Sequence, residues 1–385
     1  MTTTQPIKLA VLDDYLDTAR SHFEPLVRSS PDRFELTVFH DTLPSFATEQ
    51  HAQQELISRL APFRIICTMR ERTPFPAALI SALPNLELLL TTGMRNASLD
   101  LDAASQHGVA VAGTTSNPSG AGVADPRNLA SYPGSDSTVQ HAWALILGIA
   151  RGIARDDAVI KGSSSSSSGG AGGGWQSGLA TGLAGKTLGV LGLGRLGTAV
   201  AKIGKIAFGM DVVAWSSSLT QERADEAARA CGLTAAHQPG HEGSNKTFRA
   251  VSKEELFRAA DVLTVHYVLS ERSRGVVGAR ELALMKPTSL FVNTSRGPLV
   301  DEKALLATLR SGAIKGAALD VYDLEPLPLE SEWRTTTWGR DGASEVLLSP
   351  HMGYVEKDKM NEWYAQTADN VKRWLEGKAL LNRFN

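Results

Sequence analysis

The chain of 385 residues has few cysteines, little net charge and no long apolar run. Its two cysteines, Cys67 and Cys231, are too few for a disulfide framework, and we interpret both as small core residues. No window reaches the roughly 18 uncharged apolar residues of a membrane span. Met1 to Lys8 lack the apolar stretch of a signal peptide. We therefore expect a cytoplasmic protein with no membrane partner.

The charges are nearly balanced, with 39 lysines and arginines against 41 aspartates and glutamates. The resulting net charge of −2 gives no electrostatic reason to bind nucleic acid, and we predict no metal site. The hydrophobic share of 42% is enough for sizeable cores, and the length suggests two or three domains.

Short apolar runs alternate with helix-like segments along the chain. In the first third these runs cover 9–12, 36–39, 65–67, 88–90 and 109–111. In the second part they cover 188–191, 212–214, 262–265, 290–292, 317–319 and 346–348. Their spacing leaves room for a crossover helix between successive strands, which predicts parallel α/β sheets. A final amphipathic helix is predicted over 356–377, with candidate buried residues Trp363, Ala368, Val371 and Trp374.

Two segments interrupt this alternation. Residues 116–137 are rich in Gly, Pro, Ser and Asn, which is typical of a long loop. Apolar residues at helical spacing follow, and we place the first domain boundary at the start of that helix; they are Val139, Ala142, Trp143, Ile146, Leu147 and Ala150. The Ser/Gly tract 163–174 is predicted to be a flexible insertion without a chemical role.

A glycine motif directly follows the apolar run 188–191 and precedes a helical pattern. It reads Gly192-Leu193-Gly194-Arg195-Leu196-Gly197. The first glycine allows a tight turn, the second lets the backbone approach a pyrophosphate, and the third lets helix and strand pack closely. The helix N-terminus then offers N–H groups to the phosphates. In this strand–turn–helix context the motif predicts a dinucleotide site.

The carboxylate that usually binds the adenosine ribose is missing. An acidic residue is expected about 20 positions after the glycines, but the run 212–214 ends in Trp215-Ser216-Ser217-Ser218. No negative charge would repel a 2′-phosphate there, and no arginine follows immediately to attract one. The choice between NAD and NADP stays open, with the missing carboxylate favouring NADP.

Three chemically suited residues follow separate strands, namely Arg296, Glu325 and His351. In open α/β sheets, ligands bind outside the carboxyl ends of the strands. Arg296 could hold the carboxylate of a 2-keto acid with its forked donors. His351 could give a proton to the alkoxide that hydride addition forms, and Glu325 could orient the imidazole and favour its protonated form.

Each of these residues also has an ordinary structural explanation. A single arginine after a strand is usually a surface charge, a glutamate before proline is usually a loop residue, and a histidine after proline can be a turn residue. The argument for catalysis is that all three follow a dinucleotide-binding turn in one sheet.

The same segments resemble the D-2-hydroxyacid dehydrogenase family. The signature consists of Val292-Asn293-Thr294-Ser295-Arg296-Gly297, Asp320-Val321, Glu325-Pro326 and Pro350-His351, with Val265-His266 and Met285-Lys286-Pro287 also similar. The resemblance implies two Rossmann-like α/β domains. A discontinuous, flavodoxin-like substrate domain would comprise 1–137 and 352–385. The NAD(P)-binding domain, 138–351, would be inserted in it and carry the insertion at 162–174.

The resemblance also implies roles for individual residues. Thr294 and Asp320 would lie near the nicotinamide, and His266, Trp215 and Ser216 would complete the cofactor site with the glycine motif. The loop that contains Met94 and Arg95 would hold the substrate carboxylate. The implied substrate is a 2-keto or 2-hydroxy acid, with glyoxylate or hydroxypyruvate as the leading specific choice, and the implied assembly is a homodimer.

Some positions depart from the family, and some alternatives stay open. Arg95 and Gln140 stand where the family usually has Gly and Glu, which leaves the substrate undetermined. Formate dehydrogenases share the fold but pair their histidine with Gln, so Glu325 argues against them. Long phosphoglycerate dehydrogenases carry a regulatory domain after the histidine, which we do not expect here. A dinucleotide-binding corepressor-like scaffold with little turnover is the non-enzyme alternative.

Overall fold

The computed structural model describes residues 6–29, 33–43, 46, 50–94, 96–115, 136–162, 178–233 and 247–385. The chain divides into two compact units. The first comprises Met1–Pro126 and Val355–Asn385, and the second comprises Arg127–Tyr354. Most of the predicted loop 116–137 and the whole predicted insertion 163–174 lie outside the described residues.

The first unit is built on a five-stranded parallel sheet with the strand order β2-β1-β3-β4-β5. Its strands are β1 Ile7–Val11, β2 Phe34–Val38, β3 Ile65–Thr68, β4 Leu88–Thr91 and β5 Ala110–Ala112. Its first helices are α1 Arg20–Ser29, α2 Gln50–Leu60, α3 Ala77–Ser81 and α4 Leu101–Gln106. The inner strands β3 and β4 are buried along their whole length, as expected for a parallel sheet covered on both faces.

The second unit contains a seven-stranded parallel sheet with the order β12-β11-β10-β9-β6-β7-β8. Its strands are β6 Thr187–Leu191, β7 Asp211–Trp215, β8 Phe248–Ala250, β9 Val262–Val265, β10 Leu290–Asn293, β11 Gly316–Leu319 and β12 Glu345–Leu348. Its helices are α5 Ser137–Arg151, α6 Ile153–Ile160, α7 Arg195–Phe208, α8 Gln221–Ala230, α9 Lys253–Ala259, α10 Ala279–Leu282, α11 Glu302–Arg310 and α12 Glu332–Thr335. The strand order reverses between β6 and β9, where open α/β sheets bind their ligands.

The two sheets confirm the predicted α/β fold class, and each predicted apolar run lies on or next to a strand. The edge strand β8 was not predicted. It has three residues, and Arg249 at its centre breaks the apolar pattern. A sequence pattern so short carries no periodicity, and the strand forms because its backbone pairs with β7.

The helix α5 begins one residue before its predicted first position and carries the expected apolar face. Asp136 caps it by accepting a hydrogen bond from the Thr138 amide at 2.8 Å. The helix ends at Gly152, whose φ of 66° is favourable for glycine. Along the helix, the buried side chains include Val139, Ala142, Trp143, Ile146 and Ala150, while Leu147 is half-buried.

The last helix, α13 Lys357–Leu375, belongs to the first unit. Trp363 and Val371 are buried as predicted, but Ala368 and Trp374 are only half-buried. Trp374 lies in the last turn, and its ring faces the guanidinium of Arg64 at 5.5 Å. The Trp374 ring therefore packs against the side chain of Arg64 at the surface and is not fully buried in the core.

Both cysteines are free thiols. Cys67 is buried in β3 and Cys231 is half-buried after α8, and burial raises the pKa of each thiol. Among the helices that the structure describes, none is both long and apolar enough to cross a membrane.

Candidate active site

The glycine motif forms a tight turn between β6 and α7. Gly192 has a φ of 101°, and its amide donates to the Trp215 carbonyl at 2.8 Å. A Cβ on Gly192 would lie 2.7 Å from the His266 carbonyl oxygen, and a Cβ on Gly197 would collide with the Gly192 carbonyl. Both positions therefore require glycine, for backbone conformation in one case and for close packing in the other.

The N-terminus of α7 is open to a ligand. Gly194 caps it without a side-chain hydrogen bond, and a Cβ there would meet no atom within 4 Å. Arg195 pairs with Asp136 at 2.7 Å, but its side chain is 76% exposed and the pair is therefore weak. Leu196 is half-buried and packs against the core of the unit. The open helix end fits the pyrophosphate of a dinucleotide.

At the tip of β7, Trp215 and Ser216 occupy the positions where a dinucleotide-binding fold usually has the acidic residue that binds the ribose. The Trp215 ring stacks on Tyr267, with ring centroids 6.0 Å apart. Arg223, on the first turn of α8, donates from Nη1 to the Ser218 carbonyl at 2.8 Å. Its guanidinium therefore lies on the turn that follows β7.

Glu325 and His351 are in direct contact. His351 Nδ1 lies 2.5 Å from Glu325 Oε2, while Glu325 Oε1 accepts the Tyr322 amide at 2.9 Å. The side chain of Glu325 is 30% exposed and that of His351 is 19% exposed. The ring of Tyr354 lies edge-on to the imidazole, with centroids 5.5 Å apart. Glu325 is thus anchored by backbone on one side and holds the imidazole on the other.

Asp320 organises the segment that carries His351. Its carboxylate is 1% exposed and accepts the amides of Met352 at 2.8 Å and Gly353 at 3.0 Å. His141 Nε2 lies 3.0 Å from the same carboxylate. Burial alone would raise the pKa of Asp320, but the hydrogen bonds and the charge of His141 hold it below its usual value. His351 itself has a φ of 57°, which these neighbouring bonds help to maintain.

Arg296 follows β10, beside the strand that leads to Asp320 and Glu325. Its Nη1 donates to the Ser295 carbonyl at 2.7 Å, and its own carbonyl accepts from Asn293 Nδ2 at 3.0 Å. A Cβ on the next residue, Gly297, would collide with the Tyr322 carbonyl. The loop with Arg296 therefore packs against the backbone that anchors Glu325.

Two further predicted cofactor residues lie at strand ends in the same sheet. Thr294 is 7% exposed, and its hydroxyl has no hydrogen-bond partner among the described residues. Such a buried, unsatisfied hydroxyl fits a position next to a polar ligand. His266 Nε2 lies 2.9 Å from the Thr264 hydroxyl, and burial lowers the pKa of His266 to about 4. The ring is therefore uncharged near neutral pH.

The predicted carboxylate-binding loop lies in the first unit, after β4. Met94 is 48% exposed, and Arg95 lies outside the described residues. Gly93 has a φ of 92°, and its amide donates to the Thr114 hydroxyl at 2.7 Å. That amide is thus engaged within the protein.

Sequence reasoning missed two residues of the second unit. His141 follows Gln140, and the sequence does not indicate its contact with Asp320. Tyr267 follows His266, and the sequence does not indicate its contact with Trp215. Both side chains reach residues on other strands or loops, and a linear pattern contains no signal for such contacts.

Acidic side chains in the first unit also come together. Asp14, Asp17 and His40 have ligand-type atoms within 4.8 Å of one another. The Asp14 carboxylate, however, accepts the amides of Thr18 and Ala19 at 3.0 and 2.9 Å. These contacts are those of a carboxylate that holds the turn before α1.

Comparison with known proteins identifies the family. Residues 143–353 match the family model for the NAD-binding domain of D-isomer specific 2-hydroxyacid dehydrogenases. A glyoxylate reductase of Aeropyrum pernix is 31% identical over 80% of this chain and 78% of its own. A D-3-phosphoglycerate dehydrogenase of Bacillus subtilis is 28% identical over 82% of this chain and 50% of its own.

A solved structure has the same fold. It is that of a phosphoglycerate oxidoreductase from Vibrio cholerae O395, with a TM-score of 0.73, 30% identity and coverage of 96% of this chain and 99% of the other. The family match covers more than half of the chain and includes the glycine turn, Arg296, Glu325 and His351. The chain therefore belongs to the D-isomer specific 2-hydroxyacid dehydrogenase family and is an oxidoreductase of 2-hydroxy acids that uses a nicotinamide dinucleotide.

Proposed function

We propose that the protein reduces a short 2-keto acid, glyoxylate or hydroxypyruvate, to the D-2-hydroxy acid and catalyses the reverse reaction with the oxidised cofactor. The observation that carries the proposal is the contact between Glu325 and His351 at the carboxyl end of the sheet that also holds the glycine turn. This pair can move a proton at the substrate oxygen. The similarity to a glyoxylate reductase supports the substrate.

The proton transfer is assigned to His351. Its Nδ1 faces Glu325, so its Nε2 is the nitrogen that can give a proton to the substrate oxygen in reduction or take one in oxidation. The carboxylate selects that tautomer. Asp320 positions the same imidazole indirectly, because it holds the amides of Met352 and Gly353 that follow it.

Arg296 is assigned to the substrate carboxylate. Arg296 is half-buried, and the packing of Gly297 against Tyr322 holds its loop next to Glu325. A planar fork of donors matches a carboxylate better than an ammonium does. In the first unit, we assign further carboxylate contacts to the loop of Met94 and Arg95. We propose that the substrate domain predicted as 1–137 with 352–385 corresponds to this unit, Met1–Pro126 with Val355–Asn385.

The dinucleotide is assigned to the second unit. The glycine turn and the open end of α7 would hold the pyrophosphate, and Thr294, Asp320 and His266 would lie on the nicotinamide side. When bound, the nicotinamide supplies or accepts the hydride at C2 of the substrate. At the tip of β7, Ser216 stands where a carboxylate would repel the 2′-phosphate. Arg223 of α8 brings a cation to the turn that follows, and both features favour acceptance of NADPH.

Substrate choice and assembly can be tested directly on the wild type. A panel of 2-keto acids, including glyoxylate, hydroxypyruvate and 3-phosphohydroxypyruvate, assayed with NADH and NADPH, gives kcat/KM for each pair. A preference for the phosphorylated acid would overturn the glyoxylate or hydroxypyruvate assignment, and negligible turnover with every acid would point to a binding scaffold.

A cytoplasmic homodimer remains our prediction. Light scattering of the purified protein measures the mass of the assembly and so tests the dimer.

Replacing the proposed acid/base removes proton transfer while leaving the dinucleotide groups in place. His351→Ala is expected to lower kcat by roughly 10²–10⁴, the usual contribution of a positioned acid/base. NADH affinity, measured by fluorescence titration, should stay within about twofold, because His351 is not among the residues that hold the pyrophosphate. A variant with near-normal kcat would refute the assignment.

Neutralising the partner of the imidazole weakens its positioning for proton transfer. Glu325→Gln keeps a hydrogen-bonding oxygen but removes the negative charge beside the imidazole, so kcat is expected to fall by about tenfold or more, because a hydrogen bond to a charged group is about twice as strong as a neutral one. Steady-state kinetics with a 2-keto acid and NADH measure this loss. Glu330→Gln, an exposed carboxylate of the same loop, is the matched control and should leave kcat unchanged.

Shortening the proposed substrate anchor separates substrate from cofactor binding. Arg296→Lys keeps the charge but loses the fork, so kcat/KM for 2-keto acids should fall by about tenfold or more. NADH affinity should be nearly unchanged, and Arg280→Lys, at a 77% exposed position, is the control. Equal losses of substrate and dinucleotide affinity would relocate Arg296 to the cofactor phosphates.

Cofactor choice depends on the missing carboxylate. Ser216→Asp installs a negative charge at the tip of β7, which should repel the 2′-phosphate and lower kcat/KM for NADPH relative to NADH by about tenfold. Ser218→Asp, two residues further along the turn, is the comparison variant. A wild type that strongly prefers NADH, with no shift in Ser216→Asp, would mean that another residue contacts the ribose.

A further inference from the structure

A side chain from the end of one strand reaches the end of another across the glycine turn. Tyr267 follows β9 by two residues, and Ser217 follows β7 by two residues. In the sheet, β6 lies between these two strands. The contact between Tyr267 and Ser217 therefore spans the carboxyl end of β6, where Gly192 begins the turn that precedes α7.

The contact consists of two hydrogen bonds. The Ser217 amide donates to the Tyr267 hydroxyl oxygen at 3.2 Å, and the Tyr267 hydroxyl donates to Ser217 Oγ at 2.9 Å. The phenol ring lies nearly parallel to the indole of Trp215, with an interplanar angle of 13°. The ring is thus held on Trp215 while its hydroxyl reaches the turn. The turn itself is exposed, so a ligand can approach Ser217.

These bonds occupy groups that a phosphate would otherwise use. An anion at this turn is best held by backbone amides and hydroxyl protons together with a cation. Here Arg223 supplies a cation next to the Ser218 carbonyl. The Ser217 amide, however, already donates to Tyr267, and the Tyr267 proton is directed at Ser217 Oγ. A 2′-phosphate must displace the bond between the Ser217 amide and the Tyr267 hydroxyl before it can take the amide.

We propose that Tyr267 determines cofactor selection by competing with the adenosine 2′-phosphate for the amide of Ser217. The inference rests on the proposed binding of the dinucleotide at the glycine turn, and it adds a residue that limits preference for NADPH. A ribose 2′-hydroxyl is a neutral and weaker acceptor for the amide, so the competition costs NADH less than NADPH.

The test is direct binding to the full-length protein. Tyr267→Phe keeps the ring on Trp215 and releases Ser217, so the Kd of NADPH should fall by about three- to tenfold, while the Kd of NADH changes by less than about twofold. Fluorescence titration of each reduced cofactor measures both values without turnover. Calorimetry with NADP⁺ and NAD⁺ repeats the comparison independently of the fluorescence of the tyrosine and tryptophan.

Two serine variants separate this competition from a general change in the turn. Ser217→Ala leaves the amide bonded to Tyr267 and removes a hydroxyl, so NADPH affinity should not rise. Ser311→Ala is the control and should change neither Kd, because Ser311 is exposed between α11 and β11, at the amino-terminal edge of the sheet and away from this turn. Equal thermal midpoints would show that all variants are folded.

The outcomes distinguish this inference from the proposed function. An unchanged ratio of the two Kd values in Tyr267→Phe, or a weaker binding of NADPH, would overturn the competition, and the weaker binding would make Tyr267 a phosphate ligand. If the wild type bound neither cofactor, the proposed dinucleotide site would fail instead. A wild type that prefers NADH but gains NADPH affinity in Tyr267→Phe would support the inference.

Discussion

The geometry of the site depends on the hydrogen bonds to the buried carboxylate of Asp320. A charge that is 1% exposed must be paired and hydrogen-bonded, or burial would be prohibitively costly. Here the amides of Met352 and Gly353 and the ring of His141 meet that requirement. In satisfying Asp320, they also determine the path of the backbone next to His351. Asp320 therefore helps to direct an imidazole that it does not contact, while Glu325 holds the ring directly.

The loops after β10, β11 and β12 support one another in the same way. Gly297, behind Arg296, packs against the Tyr322 carbonyl, and the Tyr322 amide holds Glu325. Glu325 in turn holds His351. Because adjacent parallel strands end at the same edge, residues far apart in sequence become neighbours there. At the turn after β7, where we propose that the adenosine lies, Arg223 is expected to attract a phosphate through its charge. Tyr267 is expected to oppose it by occupying the Ser217 amide.

The sequence was informative where local physics dominates. Apolar runs separated by helical segments predicted the two parallel sheets, since buried strands need near-continuous hydrophobic stretches. The glycine turn was predictable because only glycine adopts the φ of Gly192 and permits the approach of Gly197. The prediction failed at β8, whose three residues show no pattern, and at Trp374, where position in the last turn outweighs hydrophobicity.

By itself, the sequence determined which chemical groups follow each strand: a forked cation, a carboxylate and an imidazole, with no carboxylate after β7. Only the tertiary structure decided which of these groups meet. It paired Glu325 with His351, turned His141 toward Asp320 and carried the Tyr267 hydroxyl to Ser217. Spacing along the chain encodes secondary structure, whereas hydrogen bonds between loops depend on strand order and side-chain direction, which exist only once the sheet has formed.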